Sequence, residues 1–451
     1  MKKRIVLTLS GILFLSIFAV FAVNAQSDEQ SSWPMFRGGL SHTGSLSSTG
    51  PTTNQTIWSY TLNGQVWSSP AVQGGVVYIA SLNGTVYALN ATTGNQIWNY
   101  TTGDKVYSSP AVAGGTVYVG SDDHNVYALD AATGTKMWNY TTNGQVQSSP
   151  AVAGGVVYIG SNDNNTYALD ASTGTQLWNY TTGYNVISSP AVAGSVVYIG
   201  SFDSRVYALD AATGTQIWNY TTGRGVEPSP AVVNGVVYVG SYDNLTYALN
   251  ATTGDQIWNA TVGGDLCVQS SPAVANGVVY IGGSDEPYVY ALNATTGAQI
   301  WNYTTGTYVF SSPAVAGDIV YVGGFNNIIF ALNATTGNPV WTYATYGGNT
   351  TGNAFFPGGE VYSSPAIVDG VVYIGSYDHN VYAFGPSSPQ PTPTPSASES
   401  PSPTASPTAS PTPSASPPPS SSDNTLLYVA LGIVIIIIIA VVAAFVLRKR
   451  K

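Results

Sequence analysis

A single cysteine, Cys267, serves all 451 residues, so no intrachain disulfide can form and no adjacent cysteine pair exists. Large cores fold without such bridges. With no His or Lys beside it in sequence, Cys267 reads as a small core hydrophobe. Cations are also scarce: there are 12 Lys and Arg, and seven of them sit at the termini. The other five, Arg37, Lys105, Lys136, Arg205 and Arg224, stand against 22 acids. That formal charge of −17 cannot neutralise a phosphate backbone, which excludes nucleic acid as a partner. His42, His124 and His379 are too scattered to compose a metal site and are expected on the surface. Between the termini no window sustains a helical period, so the class is all-β.

Long apolar runs are confined to the two ends. Lys2, Lys3 and Arg4 precede the run Ile5 to Val23 and a small-residue site at Val23-Asn24-Ala25, the order of a secretory signal peptide over residues 1–25. Leu426 to Leu447 is 22 residues without a charge, about 33 Å as a helix and long enough to span a bilayer. The basic tail 448–451 holds the C-terminus in the cytoplasm. Ahead of the helix, residues 387–425 read as a Pro/Ser/Thr-rich stalk; the 12 prolines between 387 and 423 leave it extended and without a core. The expectation is a single-pass cell-membrane protein with its main domain outside the cytoplasm.

What the middle has in abundance is repetition. Trp58, Trp98, Trp138, Trp178, Trp218, Trp258, Trp301 and Trp341 recur at spacings of 40 or 43 residues, and Ser-Pro-Ala recurs eight times, with its proline running from Pro70 to Pro365. Each unit divides into four short strands. After Ser-Pro-Ala-Val and a Gly-Gly turn comes Val156–Gly160, apolar enough for a strand buried on both faces. Thr166–Leu169 and Gln176–Tyr180 follow, the last alternating as a half-exposed outer strand. Four antiparallel strands at this period describe a propeller blade. An orphan outer strand, Thr56–Tyr60, precedes the first unit, and the last unit stops at Val381–Phe384, one strand short. The orphan completes that blade, so residues 54–386 form one closed, monomeric eight-bladed β-propeller behind a lead-in at 26–53.

Seven segments share one pattern, from ALNATTGNQIW (88–98) to ALNATTGNPVW (331–341). The pattern resembles the tryptophan-docking motif of pyrroloquinoline-quinone-type propeller repeats, and the resemblance implies that each Trp packs on the Thr-Gly turn of a neighbouring blade. Trp33-Pro34-Met35-Phe36-Arg37-Gly38-Gly39 is similar to the lead-in of the BamB-like, non-enzymatic members. The stalk and anchor are similar to those of archaeal surface proteins. Quinoprotein dehydrogenases in the family add a vicinal cysteine pair, a calcium site and a catalytic Asp. The pair is missing here, and the repeated carboxylates (Asp130, Asp170 and Asp210 in one turn; Asp123, Asp163, Asp203, Asp243 and Asp378 in another) are turn-formers first. No catalytic residue, cofactor or metal is expected.

The residue or two ahead of Ser-Ser-Pro vary freely while most positions of the unit barely change. Trp67, Tyr107, Gln147, Ile187, Glu227, Gln269, Phe310 and Tyr362 are therefore the candidate partner-binding mouth, with Phe202, Tyr242, Phe325 and Tyr377 bordering the same face. Twelve extra residues in the 341–365 segment mark a second place for binding. Asn-x-Thr occurs 15 times, and Asn99, Asn139, Asn179, Asn219 and Asn302 are candidate N-glycosylation sites. The functional expectation is a non-catalytic cell-surface binding propeller that meets a protein or a surface polysaccharide. A structural or adhesive envelope component is the alternative, and a quinone-dependent oxidoreductase comes after it.

Overall fold

The computed structural model describes residues 32–264, 267–284, 287–345 and 358–386. All fall in one compact unit, Met1–Gln390. The expected signal peptide, stalk, membrane helix and basic tail, and most of the 341–365 insertion, lie outside the described residues. Among the described residues no helix is long and apolar enough to cross a membrane.

Eight four-stranded antiparallel sheets form the blades. Blade 3 is typical, with Ala151–Ala153, Val156–Gly160, Asn165–Asp170 and Gln176–Thr181 in chain order from the axis outward. Its first hairpin closes on Gly154 and Gly155, both at positive φ (57° and 79°), as a two-residue turn of this hand requires. Innermost strands abut around the ring, and the eighth meets the first. Thr56–Thr61 pairs antiparallel with Asn380–Phe384, so the N-terminal strand completes the last blade and closes the ring.

The eight tryptophans lock neighbouring blades. Trp178 Nε1 donates to the Ala211 carbonyl at 3.0 Å, and Tyr158 of the same blade donates its hydroxyl to that oxygen at 3.1 Å. The Trp178 ring lies over Gly214, where φ is 71° and a Cβ would stand 2.6 Å from the ring; both backbone and space demand glycine. The pattern repeats from Trp58 on Ala91 to Trp301 on Ala334. Blade 8 ends before it can supply a docking turn. There Trp341 and Tyr321 both donate to the carbonyl of Pro51, in the lead-in, at 2.9 Å.

The outer strands do not alternate as simply as expected. A register shift between Ala168 and Leu169, opposite Gln176–Trp178, is repeated in the other blades. This bulge turns Leu177 outward (53% exposed) so that Trp178 can turn in.

The lead-in threads the axis. Innermost strands turn one edge of N–H groups toward it, and these need partners. Val72, Val112, Val192, Val232, Val274 and Val315 donate theirs to the carbonyls of Trp33, Pro34, Leu40, Ser41, Thr43 and Gly44, at 2.7–2.8 Å. Ser45–Leu46 then add a parallel strand beside Ala314–Ala316. Within this plug Arg37 and His42 are each 1% exposed and both adopt positive φ. Arg37 donates to the carbonyls of Pro313 and Pro272, and burial pushes its guanidinium down to about 9. His42, expected on the surface, is instead buried because the plug carries it between the inner strands. Its imidazole falls to about 3, through burial first and the Arg37 charge second. Cys267, expected in the core, is half-buried because it lies on the loop leading into blade 6.

Candidate functional site

Ser-Ser-Pro builds a belt around the axis. The N–H of the second serine donates to the hydroxyl oxygen of its counterpart in the next blade: Ser69 to Ser109, Ser109 to Ser149, and onward until Ser364 returns to Ser69. All eight links measure 2.9–3.0 Å. The residue two before it in each repeat is then forced to face the opening. The residue before that one is Val in all eight repeats, buried against the preceding blade, so a single position varies rather than two.

The structure brings all eight variable residues together around one cavity of about 360 Å³. Trp67, Tyr107, Gln147, Ile187, Glu227, Gln269, Phe310 and Tyr362 form its wall, the serine belt its lower rim, and Phe36 of the plug also lines it. Each of the eight is half-buried.

The wall has two unlike halves. Phe310, Tyr362, Trp67 and Tyr107 follow one another around the ring as an aromatic arc. Trp67 stacks on Tyr362 at 4.0 Å between centroids, Phe310 lies parallel to Tyr362 at 5.5 Å, and Tyr107 meets Trp67 edge-on at 5.3 Å. Phe325 and Tyr377 back this arc, as their expected place on the face requires. The other half is polar apart from Ile187. Gln147 Nε2 donates to Asp122 at 3.0 Å. The Glu227 carboxylate accepts from the Tyr242 hydroxyl and, at 3.4 Å, from Gln269 Nε2. Burial raises the Glu227 carboxyl above its usual range, against the opposing effect of those two donors. Phe202 packs edge-on against Tyr242 at 5.4 Å.

The repeated carboxylates are turn-formers. Asp130 Oδ1 accepts the N–H groups of Ala132 and Thr133 at 3.1 and 2.8 Å. Asp123 does more: it also accepts from Tyr127 and from the Gly103 N–H, both at 2.6 Å, stitching two loops together. Burial alone would raise its carboxyl, yet these hydrogen bonds hold it below the usual range. Asn99, Asn139, Asn179, Asn219 and Asn302 all lie exposed on outer strands, far from the mouth in each blade. Asn139 and Asn179 donate their amides to Asn125 and Asn165 at 3.0 Å. Sequence reasoning missed Phe36, Asp122 and the serine belt. The eightfold constancy of the serine before Pro-Ala was the signal for the belt.

Ring closure, tryptophan docking and a cavity on the axis define an eight-bladed, docking-motif propeller. The chain belongs to the family described as outer membrane protein assembly factor BamB, whose pattern matches residues 42–150, 83–227 and 202–409. Among solved structures it is similar to BamB from Moraxella catarrhalis, with 21% identity over 73% of this chain and 99% of that one and a TM-score of 0.63. Quinohemoprotein alcohol dehydrogenase from Comamonas testosteroni shares 17% identity over 79% of this chain and 80% of that one, with a TM-score of 0.65. The computationally designed Ika8 protein matches 73% of this chain and 99% of its own at 17% identity and a TM-score of 0.63. Identities this low carry the fold alone. No curated protein matches the chain.

Proposed function

We propose that this chain is a non-catalytic binding scaffold, held outside the cytoplasm on a membrane-anchored stalk in the manner of archaeal surface proteins, whose mouth is the contact face for a partner protein. One observation carries the reading. One position that differs from blade to blade, the residue two before the belt serine, lines a shared cavity in all eight repeats. A framework kept constant by belt, plug and docking, with eight differing side chains around one rigid opening, suits recognition. Membership of a family named for an assembly factor supports a protein-interaction role. Glycans on Asn99, Asn139, Asn179, Asn219 and Asn302 would project from the outer strands and leave the mouth open.

The dehydrogenases that share the fold raise the quinone reading. Among the described residues no group of three or more His, Cys, Asp or Glu converges as a metal-holding set, and one cysteine leaves no vicinal pair. Neither feature of the described residues supports a calcium–quinone centre of that kind.

Cross-linking capture from intact cells tests the proposal. Central aromatic anchors contribute about 2 kcal/mol or more each. Replacing Trp67, Tyr107, Phe310 and Tyr362 together by Ala should therefore abolish capture while the melt stays cooperative. Recovery of the same partners by the quadruple variant would show that the mouth varies by drift, and would favour the structural envelope alternative.

A further inference from the structure

The cavity carries one acidic side chain in its wall, Glu227. Mouth positions follow one per blade, so Glu227 stands four places from Trp67 in a ring of eight and faces the aromatic arc. Its two partners, Tyr242 and Gln269, are neutral, and both donate to Oε2; neither bonds Oε1. Among the described residues no lysine or arginine forms an ion pair with it, and the ion pair found joins Arg205 to Asp203. Arg37 does not serve either, because its guanidinium is taken by the carbonyls of Pro272 and Pro313. A partly buried carboxylate without a counter-charge is costly, and it is relieved either by taking up a proton or by a cation that completes it.

The remaining wall narrows the choice of ligand. Gln147 Nε2 donates to Asp122 and Gln269 Nε2 to the Tyr242 hydroxyl at 2.6 Å, so the amide N–H groups on this side already have acceptors and Glu227 is the group left to pair with a ligand's charge. The aromatic arc opposite offers an apolar surface on which an aliphatic stem can lie. At about 360 Å³ the cavity is near the small end of ligand pockets, which span roughly 300–1,000 Å³. That size suits one extended side chain or a small molecule. The exported part, at −17, concentrates cations around it.

We propose that the cavity admits a cationic head group, an alkylammonium or guanidinium such as ends a lysine or arginine side chain, which pairs with Glu227 Oε1 while its aliphatic stem lies along Trp67, Tyr362 and Phe310. This rests on the mouth being the binding face, and names what enters it.

The test is calorimetry and saturation-transfer NMR on the full-length chain in detergent, with n-butylammonium, n-butylguanidinium and the neutral n-pentanol as probes. Both cations should bind saturably and at least tenfold more tightly than the alcohol. Glu227→Gln, which preserves size and can still accept from Tyr242, should bring the cations to the level of the alcohol without moving the melt or the alcohol's affinity. Spermidine and an acetyl-Gly-Lys-Gly-amide peptide separate a free polyamine from a partner's side chain, and tighter binding of either supports the shared chemistry. No saturable cation binding, equal binding of n-pentanol, or an unchanged Glu227→Gln variant would overturn the inference. If that happens while the quadruple mouth variant still loses its partners, the cationic ligand fails alone and the binding face stands.

Discussion

Replacing Trp178 by alanine probes the docking that keeps the mouth rigid. The indole is 8% exposed, lies over Gly214 and donates to the Ala211 carbonyl. Truncating a buried aromatic to alanine costs about 3–5 kcal/mol, and a net hydrogen bond accounts for about 1 kcal/mol of such totals. The Ala211 carbonyl keeps the Tyr158 hydroxyl, so no buried acceptor is orphaned. The expected loss is therefore in the lower half of the range, about 3–4 kcal/mol. Trp178→Phe keeps a ring over Gly214 and loses the N–H, so about 1–2 kcal/mol should go. Urea denaturation followed by circular dichroism reads both values as shifts in midpoint at unchanged slope. A loss below about 1 kcal/mol for alanine, or equal losses for both variants, would refute the docking argument.

Deleting residues 54–62 removes the strand that pairs with Asn380–Phe384, and the melt should lose its cooperativity or the protein should aggregate; a retained sharp transition contradicts strand closure. His42, held at about 3 when folded, binds a proton only in the unfolded chain between about pH 6.5 and 3. Stability from this residue is thus present above about pH 6.5 and falls on acidification. His42→Asn should remove that slope, leaving wild type about 2–3 kcal/mol more acid-sensitive by pH 4, and parallel profiles would refute the assignment. Reconstitution with pyrroloquinoline quinone and calcium should give neither a bound-cofactor spectrum nor dye reduction with alcohols or sugars. A stoichiometric spectrum would overturn the non-catalytic reading.

The ring was legible because its determinants repeat. Trp98, Trp138 and their counterparts mark each outer strand, and the orphan Thr56–Tyr60 announces closure from its place ahead of the first repeat. The eight mouth residues could be located for the opposite reason, as variation inside constancy. The plug was not legible. It binds the inner strands through its own carbonyls, so Leu40, Ser41 and Thr43 need no distinctive side chains to do their work. Arg37 and His42 carry polar groups that composition assigns to solvent, and only the need to satisfy Pro272 and Pro313 carbonyls on the axis explains the arginine. The bulge at Leu177 was hidden because adjacent apolar residues break the strand alternation that reading relies on.

Site-specific photocross-linking is the most direct test of the mouth as the contact face. A benzophenone amino acid is placed at Tyr107 in the wall of the cavity, at Ile217 on the exposed outer rim, and at Ala132 in a docking turn. Irradiation of intact cells should give a discrete partner adduct from position 107 and none from 217 or 132. The same adduct from the rim or the docking turn, with none from position 107, would contradict the account.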